Sequence, residues 1–287
     1  MVSYSHAILL GLLQGVSELF PISSLGHSVI LPRLLGWDIN QHDPSFLTFL
    51  VATHTATAIV LIGFFWLEWG RILKGMGRSL REREISKQNA PGRLGWLLVV
   101  GTIPAGILGL LLEEPIRALF ASPRTAALFL IVNGFILGAA ELLRKRAPVF
   151  EGDDNSEGRI VSRLSWGKAL LIGTAQSVAL IPGLSRSGAS MAGGLSAGLS
   201  NEDAAHYSFL LATPIIAAAS LLKLPEFAKP ENHALIGPAF IGSLCAGISA
   251  YFAVRFLTRY FQSNRLTPFA AYCVVAGSLA SLYLLVR

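Results

Sequence analysis

The sequence predicts an all-α, polytopic membrane protein with two inverted-topology repeats, each a re-entrant helical hairpin plus three transmembrane helices. Hydrophobic residues make up 53% of the 287-residue chain and charged residues only 14%, whereas soluble domains carry about 25% charged residues. Several long stretches contain no charge, and a helix that crosses a bilayer needs roughly 20 such residues. An apolar segment near the start of the chain also returns in its second half. Composition therefore predicts the class of membrane protein, and the repeat predicts that its helices are arranged in two related units.

The hairpin is the most clearly duplicated segment. Residues 9–28 (LLGLLQGVSELFPISSLGHS) return as residues 170–190 (LLIGTAQSVALIPGLSRSGAS). Aligned identities include Gly11/Gly173, Gln14/Gln176, Ser23/Ser185 and, further along the chain, Gly101/Gly242. We interpret the chain as a single integral membrane domain, with repeat units of about 1–145 and 163–287 joined by the charged connector 146–162.

Each unit contains three apolar spans after its proline-broken hairpin. They cover 45–68, 94–112 and 125–143 in the first unit, and 203–222, 234–257 and 266–286 in the second. If the hairpins enter the membrane and return on the same side, each unit crosses an odd number of times. The second unit is then inverted relative to the first, and inverted repeats with broken helices build their sites near the middle of the bilayer.

The basic residues favour this topology. The net charge is +6, and Lys and Arg cluster in 71–93, 144–168 and 255–265. The predicted spans put all three clusters on one side, as expected for cytoplasmic loops. These clusters therefore predict an orientation in the membrane and no contact with nucleic acid.

The tip of the first hairpin concentrates polar groups at membrane depth. Gln14 and Glu18 are four residues apart, so they lie on one face of a helix that Pro21 ends. The loop that follows contributes Ser23, Ser24, Gly26 and His27. An ionisable residue inside a membrane is costly and usually functional. The alternative is a structural salt bridge between Glu18 and Arg186, which would not explain the hydroxyl groups around it.

The tip of the second hairpin is suited to an anion. Arg186 lies in the segment PGLSRSGAS (182–190), which also supplies Ser185, Ser187, Gly188 and Ser190. Backbone amides at a helix N-terminus bind anions, and the guanidinium fork matches phosphate or carboxylate. Alternatively, the small residues only permit close helix packing, which leaves Arg186 without a role. Non-helical backbone at this depth must be buried or line a cavity, so we expect the two tips to face each other or a common cavity.

The histidines differ in their context. His27 follows Glu18 and the serines, so together with Arg186 these groups would supply a base, a nucleophile and an anion clamp. His54 lies in the middle of an apolar span, where a hydrogen bond that packs helices is the favoured interpretation. His206 lies near the end of a predicted span and has no assignable role. The chain contains no dinucleotide, Walker or zinc-binding motif.

The motifs QGVSE (14–18), FPISSLGH (20–27) and PGLSRSGAS (182–190) resemble those of the undecaprenyl-diphosphate phosphatase (bacitracin-resistance) family, over essentially the whole chain. The resemblance implies a multi-pass enzyme of the bacterial inner membrane that removes the terminal phosphate of undecaprenyl diphosphate. The lipid monophosphate product carries cell-wall precursors. The resemblance also implies an active site towards the extracytoplasmic side and a divalent cation, Mg²⁺ or Ca²⁺. Two positions depart from the family pattern: Gln14 replaces a glutamate, and Ser190 replaces a threonine.

The predicted catalytic residues are Glu18, Ser24, His27 and Arg186. Ser24 is the favoured nucleophile, with Glu18 as base or metal ligand and His27 as proton donor or orienting group; a phosphohistidine at His27 is the rival. Predicted substrate-binding residues are Gln14, Ser23, Gly26, Ser185, Ser187, Gly188 and Ser190. The predicted partners are a polyprenyl diphosphate lipid and the bilayer, and the sequence also allows a homodimer. A transporter or flippase for an anionic lipid is the alternative function.

Overall fold

The computed structural model describes residues 2–41, 43–112, 122–144 and 156–286. Within these ranges the chain forms twelve α-helices, three short 3₁₀ helices and no strand. The α-helices are α1 (Tyr4–Leu19), α2 (Ser24–Leu34), α3 (Pro44–Phe64), α4 (Trp66–Glu82), α5 (Ala90–Leu111), α6 (Pro123–Arg144), α7 (Ser156–Arg163), α8 (Trp166–Ser177), α9 (Arg186–Ser196), α10 (Asn201–Lys223), α11 (Ile236–Ser263) and α12 (Thr267–Val286).

Six of these helices are long and apolar enough to cross a bilayer, namely α3, α5, α6, α10, α11 and α12. The predicted all-α, multi-pass class is confirmed, and each helix lies within a few residues of its predicted span. The largest difference is α11, which continues past residue 257, the predicted end of its span, to Ser263 and carries Arg259 there. A helix does not end where hydropathy ends, because charged residues propagate a helix as well as apolar ones do.

The four helices of the two hairpins are shorter. α1 has 16 residues, α2 and α9 have 11 each, and α8 has 12, whereas a perpendicular crossing needs about 20. α1 ends at Leu19, two residues before Pro21, and α8 gives way to a 3₁₀ turn, Val178–Leu180, before Pro182. The breaks predicted at the prolines are confirmed.

Two helices fall in segments to which the sequence analysis assigned none. α4 covers much of the basic cluster 71–93, and α7 lies in the predicted connector, of which 146–155 is outside the described residues. α4 buries Ile72 completely, and its Arg71 Nε donates to Glu157 Oε1 of α7 (2.9 Å). Amphipathic helices of this kind lie along a membrane surface, and a search for long apolar spans misses them.

The first helix of each hairpin packs against a long helix of the other half of the chain: α1 lies on α11, and α8 lies on α5. A Cβ added to Gly11 would lie 2.2 Å from the carbonyl oxygen of Gly242, and one added to Gly173 would lie 2.3 Å from that of Gly101. Glycine is therefore required at both crossings, where backbones are in direct contact. The two contacts join residues that the internal repeat makes equivalent, and they fix the position of each hairpin.

Candidate active site

The tips of the two hairpins are in contact. A Cβ added to Gly26, near the start of α2, would lie 2.9 Å from Gly183 Cα in the second tip. Gly183 has a φ of 101°, which glycine adopts without strain. Ser187 Oγ of the second tip donates to the carbonyl of Phe20 in the first (3.1 Å). The residues of two distant sequence segments therefore form one site.

Asn133, in the middle of α6, bridges the two tips. Its Nδ2 donates to the carbonyl of Pro21 (2.9 Å), and its Oδ1 accepts from the backbone N–H of Ser185 (3.0 Å). The side chain is buried. Asn133 belongs to none of the motifs that predicted the site, although an amide inside an otherwise uncharged span is a usable signal.

The carboxylate of Glu18 is the centre of the site. Its Oε1 accepts from Arg186 Nη2 (2.8 Å). Its Oε2 accepts from Ser24 Oγ (2.6 Å) and Gln14 Nε2 (3.1 Å), and lies 3.2 Å from His54 Nε2. Glu18 is 6% exposed. A buried carboxylate is stable in its charged form only with partners of this kind.

Arg186 is held by two helices. Its Nη1 donates to the carbonyl of Ser208 on α10 (3.1 Å), while Nη2 donates to Glu18 on α1. The Glu18–Arg186 salt bridge that the sequence analysis weighed as an alternative is therefore present. Both side chains also line a cavity of about 230 Å³, so the ion pair is accessible to a ligand within that cavity.

His54 also reaches this carboxylate. The sequence predicts a helix-packing hydrogen bond for it, and Nδ1 does contact the carbonyl of Leu50 in its own helix (2.7 Å). Nε2 faces Glu18 from the cavity wall. Because a carbonyl and a carboxylate both accept hydrogen bonds, we assign His54 as an imidazolium with a proton on each ring nitrogen.

His27 lies outside the cavity wall. Its Nδ1 contacts the carbonyl of Ser23 (2.7 Å), and its Nε2 contacts the hydroxyl of Tyr272 (2.8 Å), on which its ring stacks. Ser23 has a φ of 69°, a region that residues other than glycine rarely adopt. The structure therefore shows His27 supporting the turn before Ser24. Its predicted catalytic role stays a prediction.

The other predicted binding residues divide into two groups. Ser23 and Ser185 line the cavity and also cap α2 and α9. Gln14, Gly26, Ser187, Gly188 and Ser190 are hydrogen-bonded or packed around the tips. The residues of the second group are not among those that line the cavity, and their predicted substrate-binding role stays a prediction.

The cavity has a polar end and an apolar flank. The polar end contains Glu18, Ser24, His54 and Arg186. The flank is formed by α3, α5, α10 and the second tip, with Leu47, Val51, Ala105, Leu180, Ile215 and Ala219 among its residues. A cavity of this shape suits a molecule with an anionic head and a hydrocarbon tail.

The residues around Glu18 do not fit a resident divalent cation. Mg²⁺ takes six oxygen ligands and Ca²⁺ six to eight, whereas the site supplies one carboxylate, whose two oxygens face four donors. Gln14 Oε1 is a buried oxygen without a hydrogen-bond partner, but Arg186 and the imidazolium of His54 would repel the ion. Among the described residues no group of three or more His, Cys, Asp or Glu could hold a metal. We therefore derive no step through a metal, and the cation implied by the resemblance stays a prediction.

Comparison with known proteins decides the family. The model of the bacitracin resistance protein BacA family matches residues 7–279, which is nearly the whole chain. The chain belongs to the bacitracin resistance protein BacA family. Among BacA-family relatives, the undecaprenyl-diphosphatase of Mycolicibacterium paratuberculosis is 47% identical, with 100% of this chain and 99% of that protein covered. Undecaprenyl-diphosphatase 2 of Frankia alni is 41% identical, with 98% and 97% covered.

Proposed function

We propose that this chain is an undecaprenyl-diphosphatase, a membrane hydrolase that releases inorganic phosphate from undecaprenyl diphosphate and leaves the lipid monophosphate. Family membership and relatives of that name along the whole chain support the activity. The observation that carries the proposal is the hydrogen bond from Ser24 Oγ to Glu18 Oε2 beside Arg186, in a cavity with an apolar flank. It joins a nucleophile, a base and an anion-binding group.

In the proposed reaction, Arg186 turns from Glu18 to the terminal phosphate of the substrate. Glu18 is then free to accept the proton of Ser24, whose Oγ attacks the terminal phosphorus while the bridging P–O bond breaks and the lipid monophosphate leaves. Arg186 stabilises charge on the transferring phosphoryl group. Water next hydrolyses the phosphoserine. Ser24 is favoured over His27 because its hydroxyl lines the cavity and contacts a base, whereas both nitrogens of His27 are hydrogen-bonded elsewhere.

We also propose that the two halves are inverted repeats and that α1–α2 and α8–α9 are re-entrant hairpins. The short hairpin helices and the matched crossings at Gly11 and Gly173 support this arrangement. The protein then lies in the bacterial inner membrane with its three basic clusters on the cytoplasmic side. The site opens towards the extracytoplasmic side. A homodimer stays a prediction.

A transporter or flippase of anionic lipids would use a similar architecture, because fold alone does not determine function. The names of the relatives favour the phosphatase. The two functions differ in one product, since transport alone releases no phosphate.

Purified protein in detergent, given undecaprenyl diphosphate, tests the proposal. We expect release of inorganic phosphate without any membrane gradient, and loss of release in Ser24→Ala. Ser17→Ala is the matched control, because Ser17 is a buried serine of α1 whose hydroxyl, within the described residues, donates to the carbonyl of Leu13 and does not line the cavity. Lipid movement across liposomes without phosphate release would overturn the proposal in favour of a transporter. Repeating the assay with a chelator tests the predicted divalent cation.

A further inference from the structure

His54 is the ionisable residue of the cavity wall that the proposed reaction leaves unused. The wall contains two others within the described part of the chain, Glu18 and Arg186. His54 lies 3.2 Å from the carboxylate oxygen that receives the hydrogen bond from Ser24. It therefore contacts the atom to which the nucleophile would lose its proton.

The hydrogen bonds around Glu18 restrict what can happen to that proton. Gln14, Ser24 and Arg186 donate hydrogen bonds to the carboxylate, and His54, assigned as an imidazolium, faces it as a fourth donor. Once Glu18 is protonated, its new O–H needs an acceptor. Arginine does not lose a proton in proteins, whereas an imidazolium that gives up its Nε2 proton becomes an acceptor there.

We propose that His54 is a catalytic residue that donates its Nε2 proton to the departing lipid monophosphate and regains a proton from the attacking water. The inference rests on the phosphatase function proposed above. It assigns the proton donor to His54 and leaves His27 as the residue that supports the turn at Ser23.

The proton transfers balance over two steps. In the first, a bond forms between Ser24 Oγ and the terminal phosphorus, and the bridging P–O bond breaks. The proton of Ser24 moves to Glu18 Oε2, and the Nε2 proton of His54 moves to the bridging oxygen, which leaves on the lipid monophosphate. Neutral His54 Nε2 then accepts a hydrogen bond from Glu18.

In the second step the oxygen of water bonds to the phosphorus of the phosphoserine, and the P–Oγ bond breaks. Glu18 returns its proton to Ser24 Oγ, and water gives one proton to His54 Nε2. Inorganic phosphate leaves with the remaining proton. Glu18 is again a carboxylate and His54 again an imidazolium.

The position of His54 suits this role. It lies on α3 together with Leu47 and Val51, which belong to the apolar flank of the cavity. A prenyl tail along that flank would bring the phosphate nearest the lipid, which is the leaving group, to the His54 side of the site. The terminal phosphate would then lie towards Ser24 and Arg186.

Two charged groups interact with His54, namely Glu18 on α1 and Arg186 on α9. The cavity residues that α5 and α10 contribute are Ala105, Ile215, Ile216, Ala219 and Ser220, none of which titrates near neutral pH. α11, which also packs against α3, contributes none of the cavity's lining residues. Within the cavity, one carboxylate and one guanidinium therefore face His54.

The test compares His54→Gln with His206→Gln in steady-state phosphate release across pH. His206 is a matched control, because its Nε2 lies 2.7 Å from the buried carboxylate of Glu68, outside the cavity, with an exposure of 17% against 16% for His54. We expect the His54 variant to lose on the order of 100-fold in kcat, the range of general acid catalysis. We expect His206→Gln to stay within a few-fold of wild type.

Imidazole supplies the second measurement. We expect added imidazole to restore turnover to His54→Ala, and to do so best at a pH where imidazole is protonated. An unchanged kcat in His54→Gln, or no rescue of a folded His54→Ala protein by imidazole, overturns the inference while the phosphatase function stands. Absence of phosphate release from the wild-type protein overturns the proposed function and this inference with it.

Discussion

At the scale of single residues, the site depends on how one buried carboxylate is neutralised. Glu18 faces four donors, of which Arg186 and the assigned imidazolium of His54 carry positive charge. The local charge is thus positive before a ligand arrives. A diphosphate, which brings several negative charges, would be attracted to it and would compete with Glu18 for Arg186. Substrate binding would then release the base at the moment that it is needed.

Arg186→Lys tests the requirement for the guanidinium fork. The two terminal nitrogens of Arg186 bond to different partners, Ser208 and Glu18, and one ammonium cannot reproduce both directions. We expect kcat to fall on the order of 100-fold, as when a group that stabilises the transition state is removed. Phosphate release in detergent is the measurement. Normal turnover by the lysine variant would contradict the site assignment.

His27→Gln and Tyr272→Phe separate the two roles considered for His27. If His27 only supports the turn at Ser23, removing its bond to the Tyr272 hydroxyl should lower turnover less than about tenfold, since one hydrogen bond contributes about 1 kcal/mol. We expect similarly modest losses in both variants. A nucleophilic His27 would instead give an inactive His27→Gln protein, a near-normal Tyr272→Phe protein and a trapped phosphohistidine.

At the scale of elements, the position of each hairpin depends on a contact between backbones. α1 crosses α11 at Gly11, and α8 crosses α5 at Gly173. At the second crossing, Gln176 Nε2 also donates to the carbonyl of Gly101 (2.8 Å), whereas the equivalent Gln14 donates to Glu18. The repeat therefore places the same residue type at two positions with different hydrogen-bond partners, and Gln176 also lines the cavity.

Gly173→Ala should displace α8 from α5. The added Cβ would lie 2.3 Å from the carbonyl oxygen of Gly101, and such overpacking costs about 1–3 kcal/mol. We expect a lower unfolding temperature in detergent together with reduced phosphate release. Gly63→Ala is the control, because nothing lies within 4 Å of its added Cβ. Equal unfolding temperatures for the two variants would show that the crossing tolerates a side chain.

At the scale of the whole molecule, the proposed inverted topology predicts the side of the membrane on which each connection between helices lies. The connection between α4 and α5 and the one between α11 and α12 should both be cytoplasmic. The connection between α10 and α11 should be extracytoplasmic. The basic clusters indicate this orientation through the positive-inside rule.

Single cysteines introduced at exposed positions test the orientation in a background without Cys245 and Cys273. Lys87→Cys and Gln262→Cys should react with a membrane-impermeant maleimide only after the cells are opened. Lys229→Cys should react with the same maleimide in intact cells whose outer barrier lets the reagent through. Labelling of all three from the same side would contradict the inverted arrangement.

Much of this molecule follows from local sequence. The helical class, the six spans and the proline breaks depend on hydropathy and backbone chemistry, which the chain carries residue by residue. The pairing of Glu18 with Arg186 was also foreseeable, because an isolated charge in the membrane needs a partner. Tertiary packing decided the remainder. The rotation of α3 about its axis determines that His54 points at Glu18. The position of α6 lets Asn133 join the two tips. Tyr272 of α12 contacts the ring of His27 beside the turn at Ser23. No pattern within a single helix encodes these directions, because each depends on how one helix is seated against the others.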